Sequence, residues 1–78
     1  MQVESKIKIS MAVLEDISQI FEIEKECFGT EAWSEEMFKY YCLGKFGGII
    51  KAEYDEKVCG FLVYAILGGD EVNIDDIA

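Results

Sequence analysis

Histidine is absent from the 78-residue sequence, which removes imidazole-based catalysis and leaves a zinc site short of its usual ligands. The three cysteines, Cys27, Cys42 and Cys59, are odd in number, far apart and form no C-x-x-C pair. They read as free thiols of a reducing cytosol and not as a disulfide framework. Basic residues are few and scattered, 7 against 16 acidic ones, for a net charge of −9. Nucleic acids and anionic membranes, which both require clustered Lys or Arg, are disfavoured as partners. No stretch reaches the roughly 18 apolar residues of a membrane span, and the N-terminus lacks the basic-then-apolar order of a signal peptide. Internal repeats, charge blocks and low-complexity tracts are missing as well, so no domain boundary is visible.

What is present is apolar. Of the residues, 51% are hydrophobic, a high share for a domain that buries only about 60% of its unfolded surface. Part of that apolar surface is therefore expected to meet a partner. The acidic excess serves solubility, and it would also suit a basic substrate such as an amine or a Lys-rich tail.

Along the chain, Ile7 and Ile9 alternate with Lys6 and Lys8 in Ser5 to Ser10, the pattern of a short half-buried strand with one wet face. From Val13 the period changes to that of an amphipathic helix of about four turns. Leu14, Ile17, Ile20, Phe21 and Phe28 form its stripe, and Gly29 is its C-terminal stop. Ser34 reads as the N-cap of a second, shorter helix carrying Met37, Phe38, Tyr41 and Cys42 and ending at Leu43-Gly44. Strands follow at Gly48 to Tyr54 and Lys57 to Leu67, joined either by a two-residue Asp55-Glu56 turn or by a longer loop. The second of these strands is nearly all apolar, as expected when both faces are covered, and Gly60 within it marks a bulge or a close backbone approach. After Gly68-Gly69, the stretch Asp70 to Ala78 alternates again. Val72, Ile74 and Ala78 share one parity, and Glu71, Asn73 and Asp75 the other. The expected fold is α+β, in the order β-α-α-β-β-β: an antiparallel meander with two helices on a face.

Three segments resemble the N-terminal half of the GNAT acetyltransferases, closest to the ribosomal-protein-alanine N-acetyltransferase branch. Met11 to Ile20 with Glu22-Ile23-Glu24 is similar to the family's opening strand-to-helix join and first helix. Cys27 to Phe38 resembles its Phe–loop–Trp-Ser-Glu-Glu-x-Phe segment. Val58-Cys59-Gly60-Phe61, with Asp70-Glu71-Val72 and Ile77-Ala78, resembles its Val-x-Gly-hydrophobic strand and the strand ending Asn-Ile-Ala-Val. Ala32 stands where the branch usually has Pro, and Asp76 where it has Asn. The family's pyrophosphate loop, a Gly-rich turn opening a helix, has no counterpart. Gly44-x-x-Gly47-Gly48 is followed by a strand, so it does not form the N–H cradle that a phosphate needs.

The resemblance implies one truncated GNAT-like domain over residues 1–78. Within a complete fold it would transfer acetyl from acetyl-CoA to an amine or protein N-terminus, and alone it would be weakly active or inactive. It places a candidate base at Glu71, whose face it shares with Asn73 and Asp75, and an acceptor-binding wall at Phe28 and Trp33. The backbone of Ile77 and Ala78 falls at the start of the segment that pairs with pantetheine. Each has a plainer reading: a solvated strand face for the polar three, and core anchors for the aromatic pair. The rival to an enzyme half is a non-enzymatic acidic module that self-associates, as a homo-oligomer or strand-exchanged dimer, through its last strand.

Overall fold

A computed structural model describes residues 7–78, so Ser5 and Lys6 of the expected first strand lie outside the described residues. Strand β1 (Ile7–Met11) leads through a 3-10 turn at Leu14–Asp16 into helix α1 (Ile17–Phe28). Helix α2 (Glu35–Leu43) and strands β2 (Gly47–Tyr54), β3 (Lys57–Gly68) and β4 (Glu71–Ile77) follow. The four strands form one antiparallel sheet in the order β1-β2-β3-β4. The expected α+β meander with two helices is thus the fold of the chain.

Local chemistry sets the element boundaries. The first turn of the expected long helix is 3-10 because Asp16 folds back on Val13. Its carboxylate accepts from the Val13 N–H at 2.9 Å, while the Asp16 N–H donates to the Val13 carbonyl. Gly29, at a φ of 57°, ends α1. Ser34 caps α2 by accepting from the Met37 N–H at 3.3 Å. Asp55 and Glu56 both adopt positive φ, 52° and 66°. That resolves the β2–β3 connection as a two-residue turn of the kind whose twist matches the strands it joins. Gly47 faces the β3 backbone so closely that a Cβ there would run into the Tyr64 carbonyl oxygen. Gly47→Ala should therefore cost about 1–3 kcal/mol in urea unfolding; a variant as stable as the parent would show that β2 and β3 can separate without loss.

Both helices lie on one face of the sheet. The core there is built from Ile17, Ile20, Phe38, Ile49, Phe61 and Val63, each at most 4% exposed. Phe38 meets Phe61 edge-on, with centroids 5.4 Å apart. At the β1–β2 side, Lys51 closes the layer by donating to Asp16 at 2.7 Å, with Glu53 at 3.3 Å. Burial opposes ionisation of Asp16, but the Lys51 ammonium and the Val13 N–H outweigh it and hold the carboxyl below its usual range.

The opposite face differs from the sequence reading. β1 is not half-buried: Ile7, Ile9 and Met11 are all exposed. Nor is β3 covered on both faces, because its second row, Leu62, Tyr64 and Ile66, points away from the helices and pairs with Ile77, Ile74 and Val72. Strict alternation in β4 also fails. A register shift between Tyr64↔Ile74 and Val63↔Asp76 leaves Asp75 as an extra residue. It sends Ile77 to the open apolar face and Asp76 towards the helices. A second shift skips Cys59 beside Gly60, where a Cβ would approach the Ala78 carbonyl oxygen at 3.2 Å. Gly60 thus marks both the bulge and the close approach. Among the described residues, no helix is long and apolar enough to cross a membrane.

Candidate functional site

The β4 bulge turns two consecutive aspartates towards the α1–α2 connection and creates two linked polar arrays. In the outer array, the Tyr41 hydroxyl donates to Asp75 at 2.7 Å, and the Asn73 amide donates to the other Asp75 oxygen. Trp33 stacks on the Tyr41 ring with centroids 5.3 Å apart. The hydrogen bond to Asp75, with some burial, raises the Tyr41 hydroxyl above its ordinary range and keeps it a donor. The result is a half-exposed carboxylate that accepts from a phenol and an amide, with Trp33 stacked on the phenol ring.

The inner array is centred on Glu24. This side chain is 1% exposed, yet it belongs to the same α1 stripe as Ile17 and Ile20, seven and four residues before it. One carboxyl oxygen accepts the Trp33 backbone N–H at 2.8 Å. The other, Oε1, is buried without a donor, as is Oδ2 of Asp76. Both oxygens belong to carboxyls, so a proton on either group would let it donate to the other. Burial first, and then the Asp76 carboxyl, push Glu24 up to about 7. Glu24 thereby joins α1, the α1–α2 connection and β4.

Of the sequence-nominated residues, the fold brings Trp33, Asn73 and Asp75 together through Tyr41. Phe28 stays apart at the end of α1, 40% exposed, so it is neither a core anchor nor part of the array. Glu71 is exposed at the start of β4, opposite Gly68 near the β3–β4 turn. The sequence marks Tyr41 as part of the apolar set of α2 and gives Glu24 and Asp76 no role at a site. A period-3.6 count places Glu24 on the buried stripe, and that was the one available signal. Asp76 owes its position to a bulge that alternation cannot foresee.

Acetyl-CoA, which the resemblance implies, would need a free strand edge and a phosphate cradle. β4 is an edge strand, and Ala78 continues its ladder by bonding Phe61 in both directions at 2.9 and 3.1 Å. The Ile77 N–H is taken by the Asp76 side chain at 3.1 Å, a bond that an incoming acceptor could replace. Among the described residues no glycine-rich turn opens a helix, since Gly47 and Gly48 open β2, and no phosphate cradle accompanies that edge. A group of three or more His, Cys, Asp or Glu side chains able to hold a metal is also absent among the described residues.

Comparison with known proteins gives a likeness of fold. No family model and no curated protein matches the sequence. Among solved structures, the chain is similar to an integron cassette protein from the mobile metagenome of V. cholerae, with a TM-score of 0.63 at 21% identity. The match covers 96% of this chain but 56% of that one, so this chain spans just over half the length of its structural neighbour.

Proposed function

We propose that this chain forms the amine-acceptor side of an acetyl-CoA-dependent N-acetyltransferase, acting within a complete GNAT-type fold. The observation that carries the reading is the array in which Trp33 and Tyr41 meet Asp75 and Asn73 of β4, the strand on which the resemblance places acceptor-binding polar groups. Acetyl-CoA supplies the activated acyl group when bound. The acceptor arrives as an ammonium and must lose a proton before its nitrogen can attack. Asp75, oriented by Tyr41 and Asn73, holds that ammonium and takes the proton, directly or through a water. Trp33 supports the Tyr41 ring by stacking on it. Without a phosphate cradle, the chain alone binds acetyl-CoA weakly at most, and its own turnover is weak or nil.

A peptide with a free N-terminus, titrated into the labelled protein by NMR, tests the reading. Shifts should appear at Trp33, Tyr41 and Asn73. They should vanish when the peptide is N-acetylated and when Asp75→Asn removes the charge. Equal shifts with the acetylated peptide would overturn amine recognition. Calorimetry with acetyl-CoA addresses the other half, because heat of binding would place cofactor capture within this chain.

A further inference from the structure

Where helix α2 ends and strand β2 begins, the chain encloses a cavity of about 250 Å³. Tyr40 and Tyr41 of α2, Lys45 and Phe46 of the connector, and Ala65 and Ile66 of β3 line it. The connector is tied down on both sides. Its Gly44 N–H donates to the Tyr41 carbonyl at 3.4 Å, and the Phe46 carbonyl accepts from the Ile66 N–H at 2.6 Å. Tyr41 is fixed by its hydroxyl bond to Asp75 and by its stacking on Trp33. Tyr40 meets the Tyr41 ring edge-on, with centroids 5.8 Å apart. The walls are thus formed in advance, which spares a ligand much of the cost of ordering them. One charged side chain lines the cavity, and it is basic. Although the chain has 16 acidic residues, Lys45 has no ion pair or hydrogen bond among the described residues. Glu36, one helical turn before Tyr40, is already paired with Lys39.

We propose that this cavity binds a small monocyclic aromatic carboxylate, with its ring among Tyr40, Tyr41 and Phe46 and its acid group on the Lys45 ammonium. Size sets the number of rings. A cavity of about 150 Å³ is enough for benzene, so 250 Å³ takes one ring with a short acidic arm. It falls short of the roughly 300 Å³ at which sites for drug-sized ligands begin. The lining sets the chemistry. Three aromatic side chains favour an aromatic guest through offset and edge-on contacts, and Lys45 supplies a charge-assisted hydrogen bond to the carboxylate. Tyr40 and Phe46 are 75% and 76% exposed, so the rings that a guest would cover are still open to solvent. Asp75 and Asn73 do not line the cavity, and the site does not rest on the amine-acceptor reading.

Phenylacetate, titrated into the labelled protein and followed by NMR, tests the proposal. Shifts should centre on Gly44, Lys45, Phe46 and Ile66 and saturate at millimolar concentrations. Phenylacetamide keeps the ring but loses the charge, and it should bind about fivefold more weakly. Lys45→Met should weaken phenylacetate by the same factor. Lys45 is exposed, and unchanged circular dichroism checks that the variant folds. Cyclohexylacetate keeps the charge but loses the aromatic ring, and it should be weaker by about threefold or more. Equal affinity for the amide, or for phenylacetate in Lys45→Met, overturns recognition of the acid. Equal affinity for cyclohexylacetate overturns recognition of the aromatic ring. An absence of shifts at these four residues at tens of millimolar phenylacetate overturns the site itself.

Discussion

Glu24→Gln is expected to raise stability at about pH 8 and to flatten the pH dependence of unfolding between about pH 4.5 and 7. In the unfolded chain this carboxyl titrates near 4.5, whereas in the fold burial and Asp76 hold it near 7. The native state therefore binds the extra proton. The stability that this proton confers is complete below about 4.5 and is lost as pH rises through about 7. A displacement of this size is worth on the order of 3 kcal/mol, a large part of what holds so short a chain together. Gln keeps the geometry: its carbonyl accepts the Trp33 N–H, and its amide donates permanently to Asp76. Asp16 works in the opposite sense at the acid end. Its carboxyl is held below the usual 3.8, so its contribution is present above that value and is lost as pH falls through the lower one. The parent should thus be most stable at mildly acid pH. Thermal unfolding across that range decides the matter, and parallel profiles for parent and variant would remove the extra proton.

Phe38→Ala should abolish cooperative folding at room temperature or come close to it. The ring is 0% exposed, lies edge-on to Phe61 and packs against Trp33 at 5.5 Å. It ties α2 to the sheet. Truncation of such a residue costs ~3–5 kcal/mol, against a total of roughly 4–12 kcal/mol for a chain of this length. At a urea dependence of about 1 kcal/mol per molar, the midpoint should fall by about 3 M or more. Phe28→Ala is the internal control. With its ring 40% exposed at the end of α1, it should cost about 1 kcal/mol or less. Similar losses at both positions would mean that the layer between α2 and the sheet is not the centre of stability.

Much of the architecture is legible in local signals. Ser34 as N-cap, Gly29 as terminator and the Gly68-Gly69 turn act through contacts a few residues apart, and their chemistry is the same in any fold. The 3.6-residue stripe of α1 marks its buried side at Ile17 and Ile20, while its ends, Leu14 and Phe28, are exposed. The β4 bulge was not legible, because an extra residue in a ladder depends on the partner strand. Moving Asp76 inward and Ile77 outward required β3 alongside. Tyr41 reads from the sequence as a member of the apolar set of α2, and nothing within α2 indicates that its hydroxyl reaches Asp75, 34 residues away.

By itself, the amino-acid sequence determined the order of elements, the two helices, the acidic surface and the free thiols, since these follow from composition, period and short-range capping. Tertiary structure alone decided which sheet face was covered. An apolar strand such as β3 shows the same residues whether one or both of its sides are buried, because alternation records polarity and not neighbours. It also decided that the buried Glu24 carboxyl lies against Asp76 and that Trp33, Tyr41, Asp75 and Asn73 form one array. Each of these unions joins residues from different elements, and only the packed sheet and helices set the distances between them.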